Sequence, residues 1–286
     1  MPGSYWEQVH ASGLAVPSDR PLDDLTAELT RMLGDTDPET RDGTAYPTLA
    51  TWVERGVYDD LLAGLGDGMA AGLGVGLGER DTDSVFRRSF SALVLGECIG
   101  RDNRRPLVAG NKVLDWGDRI ATWLLRERDL RGFVPGKGWA HAVAHGADAL
   151  GTLAESPHVA TAELTVILDV IADRILLPVD QVFTNGEPDR LAAATMRVLR
   201  RNVLSLRVLE PWIARLAAAA VRKGSLGDRD PHLESGNPEA YLRALYLQLA
   251  LGPRAPEMRS DLLLVVVDAL RMTNPDYLQS GSQAGS

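Results

Sequence analysis

Two histidines and an aspartate stand four and three residues apart in Gly138-Trp139-Ala140-His141-Ala142-Val143-Ala144-His145-Gly146-Ala147-Asp148. At about 100° per residue, a helix through this stretch places His145 about 40° from His141, and Asp148 about 20° on the other side. Two imidazoles and a carboxylate then share one narrow stripe, opposite Trp139, Val143, Gly146 and Leu150. Imidazole changes protonation near neutral pH, so the stripe suits a polar cleft that binds a small molecule or peptide and moves protons, with Asp148 orienting the rings. Histidines at i and i+4 followed by a carboxylate also suit a divalent metal such as zinc, which would activate water for hydrolysis. No glutamate lies between the histidines, so the His-Glu-x-x-His pattern of zinc peptidases is absent. A fourth ligand would come from elsewhere, with Asp115, Asp118 and His158 nearest in sequence. In a third reading the stripe is a buried polar network inside a protein-binding scaffold. The unassigned fourth ligand favours the metal-free pocket.

The flanking residues extend the candidate site. Asp129 to Gly138 carries three glycines and a proline, which suits a shaped loop delivering Trp139 and a helix N-terminus to a cleft, with Lys137 beside it. A tight inter-helix turn with a solvent-facing lysine explains the same residues. The glycines from Gly64 to Gly78 follow no strand and carry no phosphate-binding fingerprint, so they read as a weak or close-packed helix and a flexible wall. Cys98 lies between Leu95 and Ile99 on an apolar helix and reads as a small buried hydrophobe.

These groups need a scaffold, and helix signals run from end to end. We expect an all-α protein with about eleven helices near 20–34, 38–55, 57–76, 82–100, 106–127, 138–154, 158–176, 188–206, 209–223, 237–251 and 257–273. Capping residues open several of them, as in Asp37-Pro38-Glu39, Asp81-Thr82-Asp83, Ser156-Pro157 and Asn237-Pro238-Glu239. Similar helices joined by short turns suggest stacked hairpins, a HEAT-like α-solenoid over residues 1–279 with a flexible tail at 280–286; a compact bundle is the alternative. The longest connection expected, 224–236, is not read as a domain boundary.

Composition narrows the partners. The chain has 286 residues, a formal charge of −9 and one cysteine. The negative field opposes nucleic acid, and the Arg190, Arg197 and Arg201 row reads as a solvated face rather than a DNA-binding one. The single cysteine excludes an intrachain disulfide and a cysteine-based metal framework. No secretory signal or spanning segment stands out, and the longest aliphatic run, Leu262 to Val267, is far too short to cross a bilayer. The expectation is a cytoplasmic protein with no membrane partner.

Asp129 to Leu150, read with Arg41-Asp42-Gly43-Thr44-Ala45-Tyr46 and Ser84 to Leu93, resembles a bacterial domain-of-unknown-function family. Its members share a Gly-Trp-x-His-x-x-x-His-Gly-x-Asp signature and are all-helical. The resemblance spans roughly residues 20–255 and implies no established activity, substrate or cofactor. If the three motifs meet in space, Arg41, Asp42, Tyr46, Arg88 and Ser91 become candidate walls of the cleft around His141, His145 and Asp148. For the arginines, ion pairs between neighbouring hairpins are the competing role.

Overall fold

The computed structural model describes residues 4–221 and 230–278. These hold thirteen α-helices, a π-helical segment at Glu39–Ala45, a 3-10 turn at Asp59–Leu61 and one two-stranded hairpin. The chain is all-α, as the periodicity predicts. It divides into two compact units, Met1–His158 and Val159–Ser286. The expected tail at 280–286 and the 224–229 part of the expected long connection lie outside the described residues.

The first unit contains α1 (Tyr5–Ala11), α2 (Leu22–Met32), α3 (Tyr46–Glu54), α4 (Leu62–Gly72), α5 (Ser84–Arg104), α6 (Gly110–Arg126) and α7 (Ala142–Ala154). α5 is its axis and packs against α3, α4, α6 and α7. The core forms where Trp52, Phe86, Phe90, Trp116 and Trp123 are withdrawn from solvent. Cys98 is fully buried there, and burial raises its thiol pKa far above the ordinary range. Asp37 starts the π-helical segment as its sequence signal predicts: one oxygen accepts from the Glu39 amide, the other from the Thr40 amide and hydroxyl.

Between α6 and α7 the chain makes a tight antiparallel hairpin, β1 (Phe133–Val134) paired with β2 (Gly138–Trp139). This corrects the helix expected from residue 138. The Ala140 amide donates to the Gly132 carbonyl at 2.8 Å and the His141 amide to the Arg131 carbonyl at 3.2 Å, so the hairpin ladder continues past Trp139. α7 starts only at Ala142.

The second unit contains α8 (Thr161–Leu176), α9 (Glu187–Leu199), α10 (Leu206–Ala220), α11 (His232–Leu251), α12 (Arg259–Thr273) and α13 (Pro275–Leu278). α11 packs against α8, α9, α10 and α12 around buried Tyr241 and Leu242. It begins five residues before the Asn237-Pro238-Glu239 signal, which therefore lies inside the helix. Asn237 does not cap: its side-chain carbonyl accepts the Phe183 amide at 2.7 Å, a tertiary bond that local sequence cannot announce. α1 was also not expected, although Ser4 and Glu7 form a capping box at its start.

Candidate functional site

His141 is the residue before α7, not a member of it. Its backbone is left-handed, with φ 50° and ψ 34°, and its side chain makes no capping bond. Few residues other than glycine hold that conformation without strain. The single helical stripe expected for His141, His145 and Asp148 is therefore replaced by a bend, with His145 and Asp148 on α7 and His141 at the junction with the hairpin. Gly138 permits the bend: its φ is 77°, and a β-carbon there would stand 3.0 Å from Pro38 and 3.1 Å from the Arg41 guanidinium. Gly146 serves close packing, since a β-carbon would meet Leu124 at 2.8 Å.

The bend lines up aromatic rings from surface to core. Phe133 and Trp139, 52% and 43% exposed, pack edge to face at 5.1 Å on the hairpin. Trp139 lies 4.3 Å from the half-buried His141 ring, which lies 5.9 Å from the ring of His145. His145 is 8% exposed and stands edge-on to Phe90 at 5.2 Å. Asp148, three residues further along α7, is half-buried.

Ser89 of α5 fixes the chemistry of His145. Its hydroxyl donates to the Ala140 carbonyl and lies 2.7 Å from His145 Nδ1. A hydroxyl has one proton, and a carbonyl can only accept it. With that proton on the Ala140 carbonyl, the ring contact fits Nδ1–H donating to Ser89 Oγ, the tautomer in which Nε2 carries the ring's lone pair. Ser89 is fully buried, so its role is to orient the ring. The Ser84 to Leu93 motif contains this residue, yet the wall expected there was Ser91. Ser91 Oγ points instead to α4, where a β-carbon on Gly72 would meet it at 2.2 Å.

The other expected walls fall into two groups. Arg41 and Tyr46 reach the site through Phe90. The buried Arg41 guanidinium lies over Phe86 and Phe90, 4.1 and 5.0 Å from their centroids. It donates to the Asp35 carbonyl, to Asp42 at 2.6 Å and to the Lys137 carbonyl at 2.7 Å, tying the π-helical segment to the hairpin. Burial pulls the Arg41 pKa down, and the adjacent Asp42 carboxylate opposes this. The Tyr46 ring packs on Phe90 at 6.2 Å and its hydroxyl donates to Glu97.

Arg88 and Lys137 are held in ion pairs. Arg88 is fully buried, and Glu127 accepts from its Nε and Nη2 at 2.6 and 2.9 Å. Its Nη1 serves the Val75 and Gly76 carbonyls and the Ser84 hydroxyl. Glu127, unremarked in the sequence, also accepts from Trp123 Nε1 and from the Arg128 and Asp129 amides. Lys137 Nζ contacts both carboxylate oxygens of Asp83, at 2.6 and 2.8 Å. Both contacts brace the loops beside the hairpin. Among the described residues, no group of three His, Cys, Asp or Glu side chains is arranged to hold a metal ion. Likewise, no helix there is long and apolar enough to cross a membrane.

The fold is that of an all-helical protein in which His141 stands between a short hairpin and the helix that carries His145. The chain belongs to the family described as Protein of unknown function (DUF2785), which it matches over residues 73–247, more than half its length. The match includes the hairpin, both histidines and Ser89; Arg41 and Tyr46 lie outside it. No curated protein and no solved structure matches the chain.

Proposed function

We propose that this protein binds a small molecule or peptide at the surface formed by Trp139, His141 and His145, with His145 Nε2 accepting or returning a proton. One observation carries the reading. A non-glycine residue is kept in a left-handed conformation, and its imidazole stands between an exposed tryptophan and a buried histidine. Strain of this kind costs roughly 1–3 kcal/mol and persists where surrounding structure over-determines it, often at binding sites. Exposed tryptophan supplies a broad apolar contact with few rotamers to freeze. Asp148 remains our candidate for orienting the histidine rings. We carry no metal ion into the mechanism, because His141, His145 and Asp148 do not form a three-ligand set.

For the architecture, we propose stacked helical hairpins within each unit. Support comes from the order of contacts: α3, α5 and α7 pack in succession, as do α4 with α6, α8 with α10 and α12, and α9 with α11. Alternate helices in contact are what stacked hairpins produce.

A thermal-shift screen with a metabolite and peptide library tests the binding proposal. Hits should lose at least about tenfold in affinity in both Trp139→Ala and His145→Gln, equivalent to about 1.4 kcal/mol. Hits whose affinity neither substitution changes would place binding elsewhere.

A further inference from the structure

A cavity of about 450 Å³ lies in the first unit between α2 and α4. We infer that it is a binding site for a small amphiphilic cation, an apolar body ending in a protonated amine. Its size falls in the range of small-molecule pockets, about 300–1,000 Å³. Ala27, Leu61, Leu65 and Met69 supply apolar walls, and the hydroxyls of Thr26, Thr30 and Tyr58 supply a short polar edge. Asp23 and Asp60 complete the lining, which contains no cationic residue. Carboxylates without a lining cation favour a positive ligand end and oppose a negative one.

The glycines of α4 differ in what surrounds them. A β-carbon on Gly66 would stand 2.2 Å from Trp116, and one on Gly72 would stand 2.2 Å from Ser91, so close packing accounts for both. Gly64 and Gly68 are different: a β-carbon at either position meets nothing within 4 Å, and neither has a positive φ. Packing and backbone geometry therefore leave these two unexplained, although glycine is disfavoured inside a helix relative to alanine. They lie one turn apart and both line the cavity. Both are solvent-exposed, so side chains there would narrow the open side of the cavity.

The neighbouring hydroxyls agree with a ligand whose only charge is at one end. Tyr58 is 2% exposed, its hydroxyl is 2.9 Å from that of Thr26, and burial pushes its pKa up to about 12. It thus presents a neutral wall at physiological pH. The charge that selects the ligand sits at Asp23 and Asp60, both exposed.

The test uses the full chain and three probes of equal chain length, octylamine, octanol and octanoate, followed by calorimetry and by amide chemical shifts. Octylamine should bind most tightly, by about threefold over octanol, the scale of one exposed charge interaction. Octanoate should bind most weakly. Shifts should gather on α2, the Tyr58–Leu61 turn and α4. Gly64→Leu with Gly68→Leu should weaken octylamine by about tenfold or more through lost apolar burial, with no fall in melting temperature. Asp23→Asn with Asp60→Asn, surface changes that keep the fold, should bring octylamine and octanol to parity. Equal binding of all three probes by the wild-type chain, a preference for octanoate, or unchanged octylamine affinity in the leucine pair would overturn the assignment. So would concentration-dependent self-association that the leucine pair abolishes, which would make a second copy of the chain the occupant.

Discussion

Strain and tautomer are properties of single residues, and here they fall on adjacent turns of one motif. A left-handed backbone costs an L-residue with a β-carbon roughly 1–2 kcal/mol, a cost that glycine does not bear. We therefore expect His141→Gly to unfold in urea at a midpoint equal to or above that of the wild type. His141→Val, branched at Cβ, should lose about 1–2 kcal/mol. Equal destabilisation by both would show that the ring's contacts, not the backbone, hold the bend. His141, His145, Asp148 and Trp139 are candidates on residue type and spacing alone. Their arrangement was not legible there, because a helical wheel assumes a helix, and Gly138 together with the amide bonds from Ala140 and His141 extends the hairpin to the edge of α7. Ser89 was hidden for a similar reason. A buried serine between Arg88 and Phe90 has no local mark, and only the α5–α7 contact reveals what it faces.

At the scale of elements, buried polar groups set how the helices join. Arg88 of α5 and Glu127, just after α6, are both fully buried in their side chains, and removing one partner strands the other's charge. Arg88→Met should cost about 3–5 kcal/mol in urea unfolding. Arg88→Met with Glu127→Gln should cost less, since no buried charge remains. A double variant as unstable as the single would show that the cost comes from the lost contacts to Val75, Gly76 and Ser84. α1 is joined to α2 through Glu28, which accepts Trp6 Nε1 at 2.8 Å and Arg20 at 2.7 Å. Burial raises the pKa of Glu28, but the bonds from Trp6 and Arg20 outweigh it, and the net shift is downward. A carboxyl with a lowered folded pKa contributes stability above its unfolded value, and that contribution is lost as pH falls through the folded pKa. The melting temperature should therefore fall more steeply below pH about 4.5 in the wild type than in Glu28→Gln. Parallel acid limbs would remove Glu28 from the account. Helix type and order were legible because apolar periodicity persists through nearly every element. Ends were less so: α11 begins ahead of its apparent cap because Asn237 is engaged by Phe183 across the fold.

For the whole molecule, helix periodicity predicted the all-α class, and apolar patterning placed most helices close to their observed positions. Two features of the chain could not be read that way. The division into Met1–His158 and Val159–Ser286 depends on which distant helices touch, and the α2–α4 cavity depends on where two glycines find empty space. The proposed function rests on the line of rings from Trp139 through His141 to His145, with Ser89 holding His145 so that Nε2 accepts a proton. Nitrogen-15 spectra of the histidine rings, recorded at neutral pH with and without a hit from the library screen, test this most directly. The account predicts a His145 proton on Nδ1, coupled to the Ser89 hydroxyl and lost in Ser89→Ala, and ligand-induced shifts confined to His141 and His145. A proton on Nε2 of neutral His145, or a ligand that leaves both rings unchanged, would contradict it.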